Sequence, residues 1–350
     1  MSFSFSFSGD DIEEDQTTTS HPPPTHAAET GTLRRPSSSA FPVAGQPLLK
    51  PQKHDLTQML NLLPSKISYS TLTIKLDGNE GREVRIPRRE LWDVRVQLMA
   101  EDDEEGLGNL GKDDVKTGVY EGGFKSWESS VDVVRVVDGR RGLVGGGRSV
   151  FELGCGTALP SLAIFQWLLQ RTVTTTGAVN LGLADYNPTV LQLVTLPNTL
   201  LSWAQTTKPE TWEAEGELEI DPDLISQFLT SLQIHNISLS FYSGAWSPEF
   251  VDLISSDSTL KSTPLTIIGA ETIYSPAALA SFGETLMSLL NLPSAEGSTA
   301  LVAAKKVYFG VGGSMEDFCD LVRGKGGLVE QIREESDGVR RAVVEVRLTG

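Results

Sequence analysis

Three carboxylates in this chain stand where an apolar run gives way to a turn. They are Glu152 in Val150-Phe151-Glu152-Leu153-Gly154-Cys155-Gly156-Thr157-Ala158, Asp185 in Ala184-Asp185-Tyr186-Asn187-Pro188, and Glu271 in Ala270-Glu271-Thr272-Ile273-Tyr274-Ser275-Pro276. In an open α/β sheet the carboxyl ends of the strands line the ligand crevice, so acids repeated there point to chemistry rather than packing. Gly154 and Gly156 add a turn whose backbone can approach a ligand closely, because no Cβ stands in the way. A strand, turn and helix with incidental glycines is the bland alternative.

The acid decides between ligands. Dinucleotide-binding turns carry a third glycine, where this chain has Leu159 followed by Pro160, and usually have no acid inside the turn. Glu152, two residues before Gly154, suits a positively charged cofactor better than a pyrophosphate. S-adenosylmethionine bears an ammonium and a sulfonium and is the cofactor expected here. Asp185, at the end of the next strand, is placed to accept the ribose hydroxyls of an adenosine. Tyr186, Asn187 and Ala270 flank these acids and are counted with the cofactor site. In Ser243-Gly244-Ala245-Trp246 the glycine would allow close backbone approach and Trp246 could stack on an adenine ring. Trp127-Glu128 offers an aromatic face and a carboxylate, the pair suited to a sulfonium, although a core Trp with a helix-capping Glu is an equal reading. With Cys155 and Cys319 as the only cysteines and no Cys/His cluster, no metal site or disulfide framework is expected.

The elements that must position these residues alternate between strand and helix, the pattern of an α/β fold with a mostly parallel, doubly wound sheet. Helical spacing covers Val131 to Val137, Leu159 to Leu169, Thr189 to Leu200, Leu224 to Gln233, Ala277 to Leu290 and Met315 to Val322. Strands are expected at Val150 to Leu153, Val179 to Leu183, Ser238 to Tyr242, Pro264 to Ala270 and Ala300 to Tyr308. Val329 to Arg333 and Ala342 to Leu348, joined around Asp337-Gly338, read as a closing antiparallel hairpin. Ahead of this lies an extension, residues 51–118. It holds a helical His54 to Leu63, a hairpin of Ile67 to Ile74 and Glu83 to Ile86, an Arg88 to Ala100 stretch that fits strand or helix, and an acidic loop from Glu101 to Asp114. Residues 119–350 form the main domain. The stretches Thr172 to Gly177, Lys208 to Asp223 and Ser255 to Thr263 read as insertions.

Residues 1–50 alternate Ser and Phe at Ser2 to Phe7, pass an acid run at Asp10 to Asp15, and continue in Thr, Ser and Pro. That composition buries too little apolar surface to offset chain entropy, so a disordered tail is expected, with Phe3-Phe5-Phe7 as a possible docking motif. A formal charge of −17 over 350 residues argues against a nucleic-acid partner and favours a basic protein. No apolar run of membrane-spanning length and no basic-then-apolar leader is visible, which fits a soluble protein of the cytosol or nucleus.

Tyr120 to Glu128, Phe151 to Ser161, Asp185 to Leu191, Ser243 to Trp246 and Glu271 to Tyr274 resemble the protein-histidine methyltransferases, a branch of the seven-β-strand class I enzymes. The Met1 to Phe7 start and Lys306 to Gly313 resemble the fungal members. The resemblance implies methyl transfer from S-adenosylmethionine to an imidazole nitrogen of a histidine in a large-subunit ribosomal protein, and occupancy of nucleus and cytoplasm. Glu271, Tyr274 and Glu128 are the expected catalytic residues, and a monomer is expected. Imidazole is mostly neutral at pH 7, so a carboxylate need only choose its tautomer by holding the other ring N–H. Sister branches with the same Trp-Glu and acid-x-x-Tyr features methylate lysines, whose amine must first lose a proton. A methyltransferase for RNA or a small molecule, and a non-catalytic module that kept the fold, are the other classes open at this point.

Overall fold

The computed structural model describes residues 48–348 apart from 79–80, 101–122, 145–146, 172–176, 261–262, 293–296 and 309–311. The expectations for the Ser/Phe tail, the acidic loop, Tyr120 to Gly122 and the Thr-rich stretch therefore lie outside the described residues.

Strand β1 (Gln52–His54) and helix α1 (Leu56–Asn61) precede a hairpin of β2 (Lys66–Lys75) and β3 (Glu83–Arg89), followed by α2 (Leu91–Ala100). Helix α3 (Glu128–Gly139) leads to β4 (Ser149–Leu153), the glycine turn and α4 (Leu159–Leu169). Strand β5 (Val179–Asp185) feeds α5, which runs through Pro188–Val190, a π-helical Leu191–Thr195 and Leu196–Thr207. There follow β6 (Glu215–Glu219), α6 (Pro222–Ile234), β7 (Ile237–Ser243), α7 (Pro248–Ser256), β8 (Leu265–Ala270) and α8 (Pro276–Leu290). The chain closes with β9 (Thr299–Lys305), α9 (Met315–Gly324), β10 (Gly327–Glu335) and β11 (Arg341–Leu348). Helices begin where the sequence supplies a side-chain oxygen: Ser247, Ser275 and Asp221 each accept a backbone N–H of the first turn, with proline next in line.

The main sheet has eight strands in the order β1-β7-β5-β4-β8-β9-β11-β10. The five from β7 to β9 are parallel, while β11 pairs antiparallel with β9 and with β10. Strand order reverses between β4 and β8, so the crevice of a doubly wound sheet opens at the ends of those two strands. Strand β4 is buried throughout, and every residue of α4 is buried too, which explains its unbroken apolar character.

Two elements differ from the sequence expectation. The sheet gains an eighth strand because Gln52–His54 pairs antiparallel with β7, so the helix expected from His54 starts only at Leu56. The N-terminal hairpin is a three-stranded sheet, β3-β2-β6, because Glu215–Glu219 pairs with Lys66–Ser70. What read as a polar insertion is an edge strand whose glutamates face solvent while Leu218 turns inward and Trp212 stacks on Tyr69 at 4.3 Å. The stretch after α7 also has a structural task. Asp257 accepts hydrogen bonds from Lys53 Nζ (2.5 Å) and Tyr242 Oη (2.6 Å), pinning β1 to the sheet. Burial pushes the Asp257 carboxyl up, but these bonds outweigh it and hold the group well below its ordinary range.

Gly244 serves this edge too. Its φ is +109°, and a Cβ there would meet Lys50 O at 2.6 Å and Pro51 Cα at 2.7 Å. Gly244→Ala is expected to destabilise the fold by about 1–3 kcal/mol through backbone strain and displacement of β1. Urea denaturation measures it; an unchanged midpoint would show that the edge yields without cost.

Candidate functional site

The glycine turn is held from several sides. Gly154 and Gly156 adopt φ +69° and +49°, the left-handed region that glycine enters freely. A Cβ on Gly154 would lie 2.8 Å from Thr272 Cγ2 and 3.4 Å from the Trp246 ring, and one on Gly156 would lie 3.0 Å from Gly123 O. Thr195, in the π-helical turn of α5, donates its hydroxyl to Gly156 O at 2.7 Å, and Asn198 Nδ2 donates to Thr157 O at 3.2 Å. π-Helical turns are frequent at functional sites. The N-terminal sheet reaches the same place: Arg89 N donates to Asn198 Oδ1, and Arg88 donates to Ser126 Oγ, which bonds Thr157 Oγ1 at 2.9 Å. The extension thus braces the turn.

Asp185 bridges the first two strand ends. One carboxylate oxygen accepts Gly156 N–H at 3.0 Å and the other accepts Asn187 N–H at 3.1 Å. Tyr186 is half-buried and its carbonyl accepts Gly244 N–H at 3.1 Å. Ala270 ends β8 at the crevice. Glu152 is 1 % exposed, and its Oε2 accepts the N–H of Ser161 at 3.0 Å as well as the Ser161 hydroxyl. It therefore ties the strand to the first turns of α4 from inside, rather than standing open in the crevice. Among the described residues it has no ion-pair partner. Burial, opposed by the Ser161 hydrogen bonds and reinforced by the Asp185 charge, pushes its carboxyl up to about 8.

A carboxyl raised by folding stabilises the fold below its unfolded value and loses that contribution as pH rises through the folded value. Between about pH 4.5 and 8 the folded chain holds a proton that the unfolded chain has released, so stability should fall by up to about 1.4 kcal/mol per pH unit. Glu152→Gln is expected to flatten this slope in urea titrations across that window. An unaltered slope would place the titration elsewhere.

Trp246 corrects one expectation. It is 3 % exposed, packed edge-to-face on Phe282 with centroids 5.5 Å apart and with its ring under Gly154, so no open face remains for an adenine. The adenine-stacking signal in the sequence was a core tryptophan supporting the turn.

The opposite wall is built on Glu271. Its φ of +57° is left-handed, a conformation that costs a non-glycine residue about 1–3 kcal/mol and clusters at functional sites. Its N–H donates to Ala303 O at 2.9 Å, fixing it to β9. Oε1 accepts the hydroxyl of Ser129, in the first turn of α3, and Oε2 accepts the hydroxyl of Tyr308, just past β9. Burial pushes the Glu271 carboxyl up, while Ser129, Tyr308 and the Lys305 charge pull it down and Glu128 adds to the rise. The tyrosine on this carboxylate is Tyr308; Tyr274 is half-buried against the apolar cluster of Phe151, Tyr242 and Phe282.

Helix α3 thereby brings Trp127 and Glu128 to Glu271. Trp127 stands at the N-cap position without a capping side-chain bond, and the cation over its ring is Lys305 Nζ, 5.3 Å from the centroid. Glu128 is half-buried and, among the described residues, has no hydrogen-bond or ion-pair partner. Asp132, one turn on, accepts from Arg341 Nε at 2.7 Å and anchors the helix to β11. Ser129, Lys305 and Tyr308 were missed as site residues because only the tertiary fold gathers them; the single hint was that Tyr308 lies in a stretch resembling family members.

Among the described residues no group of three His, Cys, Asp or Glu is placed to hold a metal ion, and no helix is long and apolar enough to cross a membrane. No family model matches the chain. It is 33 % identical over 347 residues to histidine protein methyltransferase 1 of Saccharomyces cerevisiae, covering 91 % of this chain and 89 % of that protein. The Schizosaccharomyces pombe protein of the same name is 36 % identical over 273 residues, 76 % of this chain and 75 % of that protein. A Bos taurus homolog is 30 % identical over 234 residues, 67 % of this chain and 57 % of that protein. The doubly wound sheet, the acids at its crevice and this likeness along nearly the whole chain place it in one family: the chain belongs to the histidine protein methyltransferase 1 family.

Proposed function

We propose that this enzyme transfers a methyl group from S-adenosylmethionine to an imidazole nitrogen of a histidine in a basic protein, a large-subunit ribosomal protein, acting as a monomer in nucleus and cytoplasm. The observation that carries the reading is the pair of acids at the switch point, Asp185, held by the backbone of the glycine turn, and Glu271 opposite it, with Glu152 buried behind the turn. Carboxyl groups repeated at a crevice fit a cationic cofactor far better than a phosphate. Asp185 and the left-handed turn would hold the adenosine end, with Glu152 behind them. When bound, the cofactor supplies an electrophilic methyl group.

The chain's own task is then alignment. Glu128 is the carboxylate open to accept the imidazole N–H, which would leave the other ring nitrogen with its lone pair toward the methyl group, and Glu128 would take up that proton as the N–CH3 bond forms and the S–CH3 bond breaks. Glu271 is a positioning residue that locks Ser129, and with it the head of α3, against Tyr308. The formal net charge of −17 favours a basic acceptor. The test is incubation with methyl-labelled cofactor and separate fractions of large-subunit, small-subunit and elongation-factor proteins. Label confined to a large-subunit protein supports the reading, and label in another fraction alone overturns the substrate.

A further inference from the structure

Lys305 ends β9, one strand over from Glu271, and its ammonium is fixed between two rings, 5.3 Å from the Trp127 centroid and 5.9 Å from that of Tyr308. It also attracts the Glu271 carboxylate, yet among the described residues its side chain forms no ion pair within salt-bridge distance. A lysine needed only to neutralise Glu271 would be expected to close on it. Instead the carboxylate is satisfied by two hydroxyls, Ser129 and Tyr308, and the ammonium is held beside the pair by cation–π contacts. The wall built on Glu271 therefore carries a positive charge over Trp127 and Tyr308.

We infer that Lys305 is a specificity-determining residue: its ammonium, held over Trp127 and Tyr308, admits a neutral imidazole and repels the ammonium of a lysine acceptor. The inference rests on the reading of this site as a protein methyltransferase and adds the element that separates histidine from lysine. Discrimination by a built-in repulsive group is a general device, because specificity is a difference between two affinities. At the effective dielectric of a partly buried site, two like charges within several ångströms oppose each other strongly enough to shift a rate by tenfold or more; a neutral ring enters without that cost, and the charge it gains with the methyl group leaves as its other N–H proton passes to Glu128. Glu128 and Glu271, taken alone, would favour a cationic acceptor; Lys305 offsets them.

The experiment uses the full chain, labelled S-adenosylmethionine and the basic proteins extracted from large ribosomal subunits. After acid hydrolysis, label in methylhistidine is compared with label in methyllysine. Wild type should place its label in methylhistidine. Lys305→Met and Lys305→Gln should lower the methylhistidine-to-methyllysine ratio at least tenfold, while Lys305→Arg, which keeps the charge, should retain it. A purely structural role for Lys305 would move melting temperature and both products together and leave the ratio alone. The inference is overturned if either neutral variant, folded and binding cofactor, keeps the wild-type ratio or loses all labelling. Wild-type label in methyllysine would instead overturn the histidine reading itself, whatever the variants do.

Discussion

Glu271→Gln is expected to lower turnover on a histidine acceptor by tens to hundreds of fold, with cofactor affinity changed no more than a few fold. The carboxylate accepts the hydroxyls of Ser129 and Tyr308 on separate oxygens. An amide offers one oxygen and one N–H₂, so one hydroxyl loses a charge-assisted acceptor, a change of about 1.5–3 kcal/mol. That loss frees the head of α3, where Trp127 and Glu128 stand, and alignment is what a direct displacement depends on. The signature should be in kcat more than in KM, because substrate contacts survive while their geometry does not. The pH profile separates this from a merely structural effect. With a histidine acceptor the rate should rise through about pH 6.5 and then flatten, as imidazole loses its proton. In Glu271→Gln the lowered rate should keep that shape. Near-wild-type turnover would reduce Glu271 to a packing residue, and parallel loss of cofactor affinity would move it to the cofactor site.

Gly154→Val should abolish cofactor binding. Its φ of +69° is unfavourable for a β-branched residue, and the first added carbon already meets Thr272 Cγ2 at 2.8 Å and the Trp246 ring at 3.4 Å. Neither neighbour can retreat: Thr272 is 3 % exposed, and Trp246 is packed against Phe282. The turn must shift, and with it the Gly156 N–H that Asp185 holds. Calorimetry with S-adenosylmethionine should show no binding heat, alongside a melting temperature lowered by several degrees. Retained affinity in a folded variant would mean the turn is not the cofactor cradle.

Much of this was legible in the chain itself because long apolar strands and helices announce their own period. The run Leu159 to Leu169 became α4 with those bounds, and the alternation of strand and helix implied the parallel sheet. The acids at 152, 185 and 271 could be found because each lies at or just past the carboxyl end of such a strand. Short edge strands were not legible. Gln52–His54 has three residues, and Glu215–Glu219 alternates glutamate with Gly and Leu, so neither carries enough apolar surface to signal a strand. Gly244 and Trp246 were visible as unusual residues, but their reason was not: one makes room for Lys50–Pro51 and the other fills the core under Gly154. Ser129, Lys305 and Tyr308 are ordinary residues until β8, β9 and α3 converge on Glu271.

Methyl transfer by this enzyme is expected to end on an imidazole nitrogen. The most direct measurement is fragmentation mass spectrometry of the acceptor protein after incubation with wild-type enzyme and methyl-labelled S-adenosylmethionine. Label is expected on a histidine ring and is expected to be absent in Gly154→Val; label on a lysine amine, or none on protein while cofactor is bound, would rule out a histidine acceptor.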